Sequence, residues 1–316
     1  MKLRDIDFKP VWDASGARGY FGEGYWYHRL VPGLSFEGST LVAKTTTYAP
    51  RKGNMELAED GTTPKRRRPD CIVVKPWQGA ALNAVGLSGP GAEALFLDGR
   101  WQELTEPFFL SFMPVGETPQ QRFAELNAFV RLIDKFRMEF QAPFGLQINV
   151  SCPNTGHNFG DIEAETRMLL TRAATLRIPL VPKFSAVTPI RTVARIAEHP
   201  DCDAVCVSNT IPWGQVDPDV RNAFCGSQTS PLAKYGGGGL SGAPIFPLVL
   251  DWVKRAYQER FPKPINAGGG ILGPKDVERL RDAGASSVFL GSIAMLRGWR
   301  VRKTIRAAHQ CFEKKK

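Results

Sequence analysis

The sequence predicts a parallel α/β fold, and within this class a single (β/α)8 TIM barrel that spans residues 1–316. Eight short apolar runs recur along the chain, and most are followed by a segment with the periodicity of an amphipathic helix. Eight such units are the number that closes a barrel, whereas an open, doubly wound sheet is the alternative. We find no linker, internal repeat or shift in composition that would divide the chain, so we expect one domain.

The predicted strands and helices follow one another in chain order. The strands are residues 11–12, 40–43, 107–112, 146–150, 179–184, 204–210, 264–268 and 287–292. The helices are residues 120–140, 162–176, 190–199, 246–261, 275–283 and 295–316. Two longer stretches interrupt this alternation, one after the second strand (48–101) and one after the sixth (211–242). Because the first is rich in Gly and Pro and the second ends in four glycines, we predict an inserted loop region at each.

The composition narrows the classes of function. The net charge is +10 (41 basic minus 31 acidic residues), which we interpret as a solvated surface rather than a nucleic-acid site. The densest basic cluster, residues 65–68, lies between two prolines and is predicted to be a loop. Six cysteines without a CxxC pair favour a reducing compartment, here the cytoplasm. No run is suited to span a membrane, and no cluster has metal-ligand spacing.

Polar and small residues follow the predicted strands at their carboxyl ends, where the active site of a barrel lies. They are Ser15-Gly16, Lys44-Thr45, Ser111, Asn149, Lys183, Asn209-Thr210, Gly269-Gly270 and Gly291-Ser292. Lys44 and Lys183 follow different strands, so we expect both ammonium groups to point into one pocket.

Glycine-rich ends follow the seventh and eighth strands, at Gly269-Gly270 and Gly291-Ser292. Glycine lets backbone N–H groups approach a phosphate, and this position is the usual phosphate site of such barrels. The chain has no Walker-type loop, and its Gly19-x-x-Gly-x-Gly24 run lacks the strand and helix context of a dinucleotide motif. A mononucleotide cofactor is therefore the simplest interpretation.

A reactive group is predicted just after the fourth strand, where Asn149, Cys152 and Asn154 lie close together in the chain. A lone cysteine is most often a buried core residue. Here, however, a thiol and several amides leave a buried strand together, which suits a small polar ligand. Each amide offers both a donor and an acceptor, as a pyrimidine ring requires, and a lysine suits an anionic ring or a carboxylate.

These motifs resemble those of the dihydroorotate dehydrogenase family. Asn149-Val-Ser-Cys-Pro-Asn-Thr155 is similar to the active-site loop of that family, and Asn83-Ala-Val-Gly-Leu87 is similar to its substrate loop. The remaining motifs in family order are Lys44-Thr45, Lys183, Ser208-Asn-Thr210, Gly238-Gly-Leu-Ser-Gly242, Gly269-Gly-Ile271 and Gly291-Ser292. The resemblance covers nearly the whole chain. It implies a barrel that binds FMN and oxidises dihydroorotate to orotate in pyrimidine biosynthesis.

The resemblance also implies roles for individual residues. Contacts to FMN would come from Ser15, Lys44, Thr45, Ser111, Asn149, Lys183, Ser208, Gly242, Gly269, Gly270, Gly291 and Ser292. Contacts to the substrate would come from Lys44, Asn83, Ala84, Val85, Gly86, Leu87, Asn149, Asn154, Asn209 and Thr210. Cys152 would be the base that removes the C5 proton, while a hydride leaves C6 of the substrate for N5 of FMN.

Cysteine at position 152, rather than serine, is typical of the soluble first class of the family. The segments around Asn83 and Gly242 most resemble the subclass that works with a separate FAD and iron–sulfur subunit and passes electrons to NAD. The family resemblance also implies a homodimer. The sequence leaves the electron acceptor open between fumarate, oxygen and NAD through a partner.

Three features depart from the family pattern. Ser111 stands where the family usually has Asn, Ser88-Gly89 replaces the usual polar pair after the substrate loop, and the 48–77 section is rich in charge. Two other FMN-dependent functions are alternatives: a dihydropyrimidine reductase and a tRNA-dihydrouridine synthase. The second usually carries Gly at the position of Ser151 and a C-terminal domain, for which residues 293–316 are too few. An inactive flavin-binding homologue is a third alternative.

Overall fold

The computed structural model describes residues 1–150 and 159–313. Its strands are β1 (Lys2–Leu3), β2 (Ile6–Asp7), β3 (Val11–Asp13), β4 (Ile72–Lys75), β5 (Ala80–Asn83), β6 (Phe108–Phe112), β7 (Phe144–Asn149), β8 (Leu180–Ser185), β9 (Val205–Asn209), β10 (Ile211–Pro212), β11 (Gly239–Gly242), β12 (Ile265–Gly268) and β13 (Ser287–Leu290). Its helices are α1 (Ala92–Asp98), α2 (Pro119–Phe136), α3 (Phe159–Ala173), α4 (Ile190–Ala197), α5 (Pro218–Cys225), α6 (Phe246–Gln258), α7 (Pro274–Asp282), α8 (Ile293–Leu296) and α9 (Val301–Glu313).

Seven parallel strands form the central sheet, in the order β3-β13-β12-β9-β8-β7-β6. Its two edges are β3 and β6, and the extended segment 40–46 lies between them. Within this segment, Thr40 pairs with Trp12 of β3 and Val42 pairs with Phe109 of β6, both in parallel. The segment thereby joins the two edges and closes the sheet, and the predicted (β/α)8 architecture is confirmed.

Aromatic side chains fill the barrel interior near the β1–β2 hairpin. Phe8, Trp12 and Phe109 are fully buried, and the Phe109 ring lies 4.1 Å from the Phe8 ring and 4.5 Å from the Trp12 ring. A Cβ atom at position 145 would lie 2.4 Å from the Phe109 ring, so Gly145 in β7 leaves the space that this ring needs. The sequences of the strands are nearly continuous apolar runs, because both faces of a parallel sheet are covered.

Local sequence signals explain where the longest helix begins. The Oγ1 atom of Thr118 accepts a hydrogen bond from the Gln121 backbone N–H at 3.2 Å, and the Gln121 side chain accepts one from the Thr118 N–H at 3.0 Å. This capping box and Pro119 in the first turn start α2. No helix in the described residues is both long and apolar enough to cross a membrane.

The two insertions combine in a second sheet that the sequence did not predict. It is four-stranded and antiparallel, in the order β10-β11-β5-β4, with β4 and β5 from the first insertion and β10 and β11 from the second. Half of the residues in two of these strands, Ala80–Asn83 and Gly239–Gly242, are Ala or Gly, which have little strand propensity. Their pairing depends on contacts between segments about 160 residues apart, such as Ser241 with Ala81.

Two predicted elements differ from the structure. Residues 40–43 form isolated bridges rather than a regular strand. The last helix, predicted over 295–316, begins only at Val301, and the short helix α8 precedes it. The backbone of Arg297 (φ −149°, ψ 47°) interrupts the helix between them, although the sequence there has no proline.

Removing the Phe109 ring is expected to destabilise the barrel strongly. Phe109→Ala should lower the free energy of unfolding by about 3 to 5 kcal/mol, because it leaves a cavity among rings that cannot collapse onto it. Chemical denaturation followed by circular dichroism measures the change. Met138→Ala is the control, since Met138 is 93% exposed and its truncation should change stability by less than about 0.5 kcal/mol. A loss below about 1 kcal/mol for Phe109→Ala would contradict this account of the core.

Candidate active site

A cavity of about 2240 Å³ opens over the carboxyl ends of the barrel strands. Residues from both insertions contribute to its wall, because the four-stranded sheet lies at the same end. The predicted site residues that line this cavity are Ser15, Lys44, Thr45, Asn83, Ala84, Val85, Gly86, Leu87, Asn149, Lys183, Ser208, Asn209, Thr210, Gly269, Gly270, Gly291 and Ser292. The barrel strands and the insertion sheet together therefore bring these residues, far apart in the chain, to one cavity.

Three neighbouring strands place Asn149, Lys183 and Asn209 side by side. Asn149 at the end of β7 pairs in register with Lys183 of β8, so both side chains point to the same face of the sheet. The Asn209 amide, at the end of β9, donates a hydrogen bond of 2.6 Å to the Asn149 amide oxygen. This bond orients the two amides relative to each other.

Lys183 is a buried cation. Its side chain is 6% exposed, and the Nζ atom lies 5.0 Å from the centroid of the Phe289 ring. In the described part of the chain, the titratable group that acts on Lys183 is the buried Cys206 thiol rather than a carboxylate. Burial lowers the pKa of the Lys183 ammonium, because the charged form loses its hydration. An anionic or electron-rich ligand bound at this position would stabilise the charged form of Lys183 in place of the lost hydration.

Lys44 is the second buried cation, and its partners are neutral oxygen atoms. Its Nζ atom donates one hydrogen bond to the phenol oxygen of Tyr20 at 2.9 Å and another to the backbone carbonyl of Ser88. Burial lowers the pKa of Lys44 to about 8, and the nearby carboxylate of Glu23 acts in the opposite direction. An ammonium group carries three donors, two of which are used by these acceptors among the described residues, and Lys44 lines the cavity.

A ladder of hydroxyl groups supports the first part of the wall. Ser15 Oγ lies 2.7 Å from Thr45 Oγ1, which in turn lies 2.9 Å from Ser111 Oγ. Ser15 also donates to the backbone carbonyl of Ala43 at 2.9 Å. Ser111 is buried behind Thr45 and does not line the cavity. It therefore acts on the site through Thr45 in this structure.

Bare backbone forms another part of the wall. Gly269 and Gly270 have φ values of 110° and 88°, which side chains disfavour. A Cβ atom at position 270 would lie 2.5 Å from the Gly242 carbonyl oxygen, and one at position 291 would lie 2.8 Å from the Ala14 side chain. Gly242 does not line the cavity itself, but it borders Gly270 and requires that position to be glycine. Backbone N–H groups can thus approach a phosphate closely.

The residues present fit FMN. The glycine cradle suits its phosphate, the hydroxyl ladder offers donors and acceptors for its ribityl chain, and the buried Lys183 ammonium suits its electron-rich ring. In the described residues, no group of three or more His, Cys, Asp or Glu side chains could hold a metal ion.

Two side chains from an earlier part of the first insertion hold the predicted substrate loop in place. These contacts were not predicted from the sequence. The Asn54 side chain donates to the Ala84 carbonyl at 2.7 Å, and the Arg51 side chain donates to the Gly86 carbonyl at 3.2 Å. Leu87 has a φ of 59°, a strained value for this residue type that such bracing maintains. The sequence carries no periodic signal for these contacts, because Arg51 and Asn54 lie in irregular chain.

Tyr20 and Glu23 were also missed. Glu23 accepts hydrogen bonds from the backbone N–H groups of Tyr20 and Phe21, at 3.0 and 2.7 Å, and so shapes the loop beside Lys44. The Gly19-x-x-Gly-x-Gly24 run around them carries no signal for contacts to Lys44. The predicted base Cys152 and the predicted substrate contact Asn154 lie outside the described residues, and so does Ser151.

Comparison with known proteins identifies relatives that agree with the resemblance seen in the sequence. A model of the dihydroorotate dehydrogenase family matches residues 5–309. The catalytic subunit of dihydroorotate dehydrogenase B (NAD(+)) from Desulforudis audaxviator is 31% identical over 290 residues, which cover 90% of this chain and 82% of that protein. Dihydroorotate dehydrogenase A (fumarate) from Lacticaseibacillus paracasei is 28% identical over 292 residues, with coverage of 90% and 87%.

Solved structures support the fold. The ligand-free dihydroorotate dehydrogenase of Eimeria tenella superposes with a TM-score of 0.70 and 20% sequence identity, and the match covers 99% of this chain and 87% of that one. At this identity the likeness speaks for the fold alone. The family model matches nearly the whole chain, and this match shows the family as well as the fold. The chain belongs to the dihydroorotate dehydrogenase family.

Proposed function

We propose that this chain oxidises dihydroorotate to orotate in pyrimidine biosynthesis. The observation that carries the proposal is the shared cavity. Two buried ammonium groups, the paired amides of Asn149 and Asn209, and the braced loop 83–87 surround one space next to a glycine cradle. An anionic pyrimidine needs a cation for its carboxylate and amides for its ring, and all of these are present.

When bound, FMN supplies a ring that accepts a hydride. We propose that the chain holds it through Lys183, Thr45, the Gly269-Gly270 backbone and Gly291-Ser292, together with Ser15, Asn149 and Ser208. Ser111 and Gly242 serve indirectly, one through Thr45 and the other by bordering Gly270. The chemistry of these groups supports the assignment, since a buried cation, hydroxyl groups and bare backbone face one cavity.

We further propose that the substrate carboxylate binds beside Lys44, near the loop 83–87. The Lys44 ammonium reaches the Ser88 carbonyl at the end of this loop, which places a positive charge next to its backbone. Asn83, Asn149, Asn209 and Thr210 then offer hydrogen bonds to the ring N–H and C=O groups. Asn154 joins them in this proposal on the resemblance alone.

Cys152 is the base in this proposal. Its thiolate takes the proton from C5 of dihydroorotate while the hydride leaves C6, and the thiol later releases that proton to solvent. Because the pKa of an unperturbed thiol is about 8.5, turnover should rise with pH as Cys152 ionises.

The names of the bacterial relatives also support a partner subunit. Several are catalytic subunits of the NAD(+)-linked enzyme, so we propose that a separate FAD and iron–sulfur subunit takes electrons from this chain. Assembly as a homodimer and location in the cytoplasm belong to the same proposal and rest on the family resemblance.

An anaerobic bleaching experiment tests the substrate. Purified protein loaded with FMN should lose its yellow absorbance when dihydroorotate is added without oxygen. Dihydrouracil and NADPH should leave the absorbance unchanged, because neither carries the carboxylate that Lys44 is proposed to bind. Bleaching by NADPH or dihydrouracil instead would favour a reductase of dihydropyrimidines or of tRNA. No bleaching by any of the three would favour a flavin-binding protein without this activity.

Removing the thiol should abolish proton transfer. Cys152→Ala should slow flavin reduction by dihydroorotate by about 10² to 10⁴-fold, the usual contribution of a positioned base, and leave the FMN content unchanged. Stopped-flow absorbance measures the rate. Cys225→Ala is the control, since that thiol is hydrogen-bonded to backbone carbonyls in the second insertion. Reduction of the Cys152→Ala protein at the parent rate would refute the role of base.

Removing the buried cation should weaken cofactor binding. Lys183→Met removes the charged group and keeps most of the length of the side chain, and we expect about a tenfold or greater loss of FMN affinity, the value of one hydrogen bond to a charged group. Fluorescence titration of flavin-free protein measures it. Lys234→Met is the matched control, because Lys234 also lies over an aromatic ring, that of Tyr235, but on the surface. Equal affinities for the two variants would contradict the assignment.

The affinity for an anionic product should depend on the charge of Lys44. In Cys152→Ala protein, where no thiol titrates at position 152, orotate affinity should fall as the pH rises through about 8, because the neutral amine cannot pair with a carboxylate. Isothermal titration calorimetry with orotate, repeated from pH 6 to 10, measures this affinity. In a Cys152→Ala/Lys44→Met protein, affinity should be low at every pH. An affinity of the Cys152→Ala protein that is constant across this range would exclude Lys44 as the carboxylate partner.

A further inference from the structure

The phenol group of Tyr20 occupies a specific place between Lys44 and the end of the substrate loop. Its oxygen accepts a hydrogen bond from the Lys44 ammonium at 2.9 Å and donates one to the Ser88 carbonyl at 3.1 Å. The Lys44 Nζ atom also lies 4.7 Å from the centroid of the Tyr20 ring. Lysine, phenol and carbonyl thus form a closed triangle, in which each group contacts the other two.

The space for this phenol exists because position 89 has no side chain. A Cβ atom at Gly89 would lie 2.1 Å from the Tyr20 oxygen and 3.3 Å from the ring carbon that carries it. Gly89 does not have a positive φ, so the need at this position is for room and not for an unusual backbone conformation. Tyr20 therefore fills the volume where the family pattern expects a polar side chain after the substrate loop.

The rest of Tyr20 is held by the core. Its side chain is fully buried, its backbone N–H donates to Glu23, and its carbonyl accepts a hydrogen bond of 2.8 Å from the Trp101 indole. The Lys44 backbone N–H in turn donates to the Gly19 carbonyl at 2.9 Å. These contacts fix the position of the phenol oxygen, which can in turn fix the position of the flexible Lys44 side chain.

We infer that Tyr20 is a positioning residue for substrate binding, which holds the Lys44 ammonium against the substrate loop in place of a side chain at position 89. The inference rests on the proposed role of Lys44. A phenol suits this task because burial raises its pKa far above the neutral range, so it stays uncharged. As a neutral acceptor, it stabilises the charged lysine without forming an ion pair that would compete with a substrate carboxylate. Glu23 is the acidic group that faces the pair.

Tyr20→Phe removes only the phenol oxygen and tests the inference. We expect orotate affinity at pH 7 to fall about tenfold, and the pH above which affinity is lost to move to lower values, because the ammonium loses an acceptor. The KM for dihydroorotate should rise while FMN content stays at the parent level. Tyr25→Phe is the matched control. It also removes the oxygen of a partly buried phenol that donates to a carbonyl, that of Gly16 at 2.7 Å, and that makes no hydrogen bond to Lys44 in the described residues.

A double-mutant cycle with Gly89→Ala gives a readout that needs no substrate. Gly89→Ala alone should lower the melting temperature, because the new methyl group displaces the phenol oxygen. In the Tyr20→Phe background the same change should cost less, since the nearest remaining atom is then 3.3 Å away. Additive losses in the cycle, or a Tyr20→Phe protein with the parent's orotate affinity and pH profile, would overturn the inference. If the parent protein is not bleached by dihydroorotate, the proposed function fails instead, while the cycle still reports on the contact.

Discussion

The burial of two lysine ammonium groups at one end of the barrel is the constraint on which the site depends. Removing a cation from water costs free energy unless hydrogen bonds or an anion compensate for the lost hydration. Lys44 is partly compensated by a phenol and a carbonyl oxygen, and Lys183 faces an aromatic ring. The carboxyl-terminal end of the barrel is therefore suited to ligands that bring negative charge or electron density.

The remainder of the fold supports this arrangement. The opposite end of the barrel is packed with aromatic rings around Phe109, which gives the strands fixed positions. Register between β7 and β8 then aligns Asn149 with Lys183. The insertions, which a barrel does not need for closure, pair into one sheet and hold the loop 83–87 over the cavity. Stability and ligand binding are thus served by different ends of one sheet.

Most of the architecture could be predicted because parallel strands are covered on both faces and read as apolar runs. Runs such as 107–112 and 179–184 lie within one residue of the strands Phe108–Phe112 and Leu180–Ser185. The rule that strand ends meet at one edge then brought Lys44, Lys183 and Asn149 together correctly. The sheet formed by the insertions could not be predicted, since its Ala- and Gly-rich strands carry little propensity and pair across long stretches of chain.

Sequence patterns were sufficient to predict the fold class, the order of the strands, the family and the set of polar residues at the strand ends. These follow from local composition and from short motifs, which do not require contacts between distant segments. The groups that surround each lysine, in contrast, depend on how distant segments pack in the folded chain. Tyr20 and Gly89 are in contact because two loops that are far apart in the sequence meet beside Lys44. No local sequence pattern encodes the fit of the phenol into the space beside a glycine.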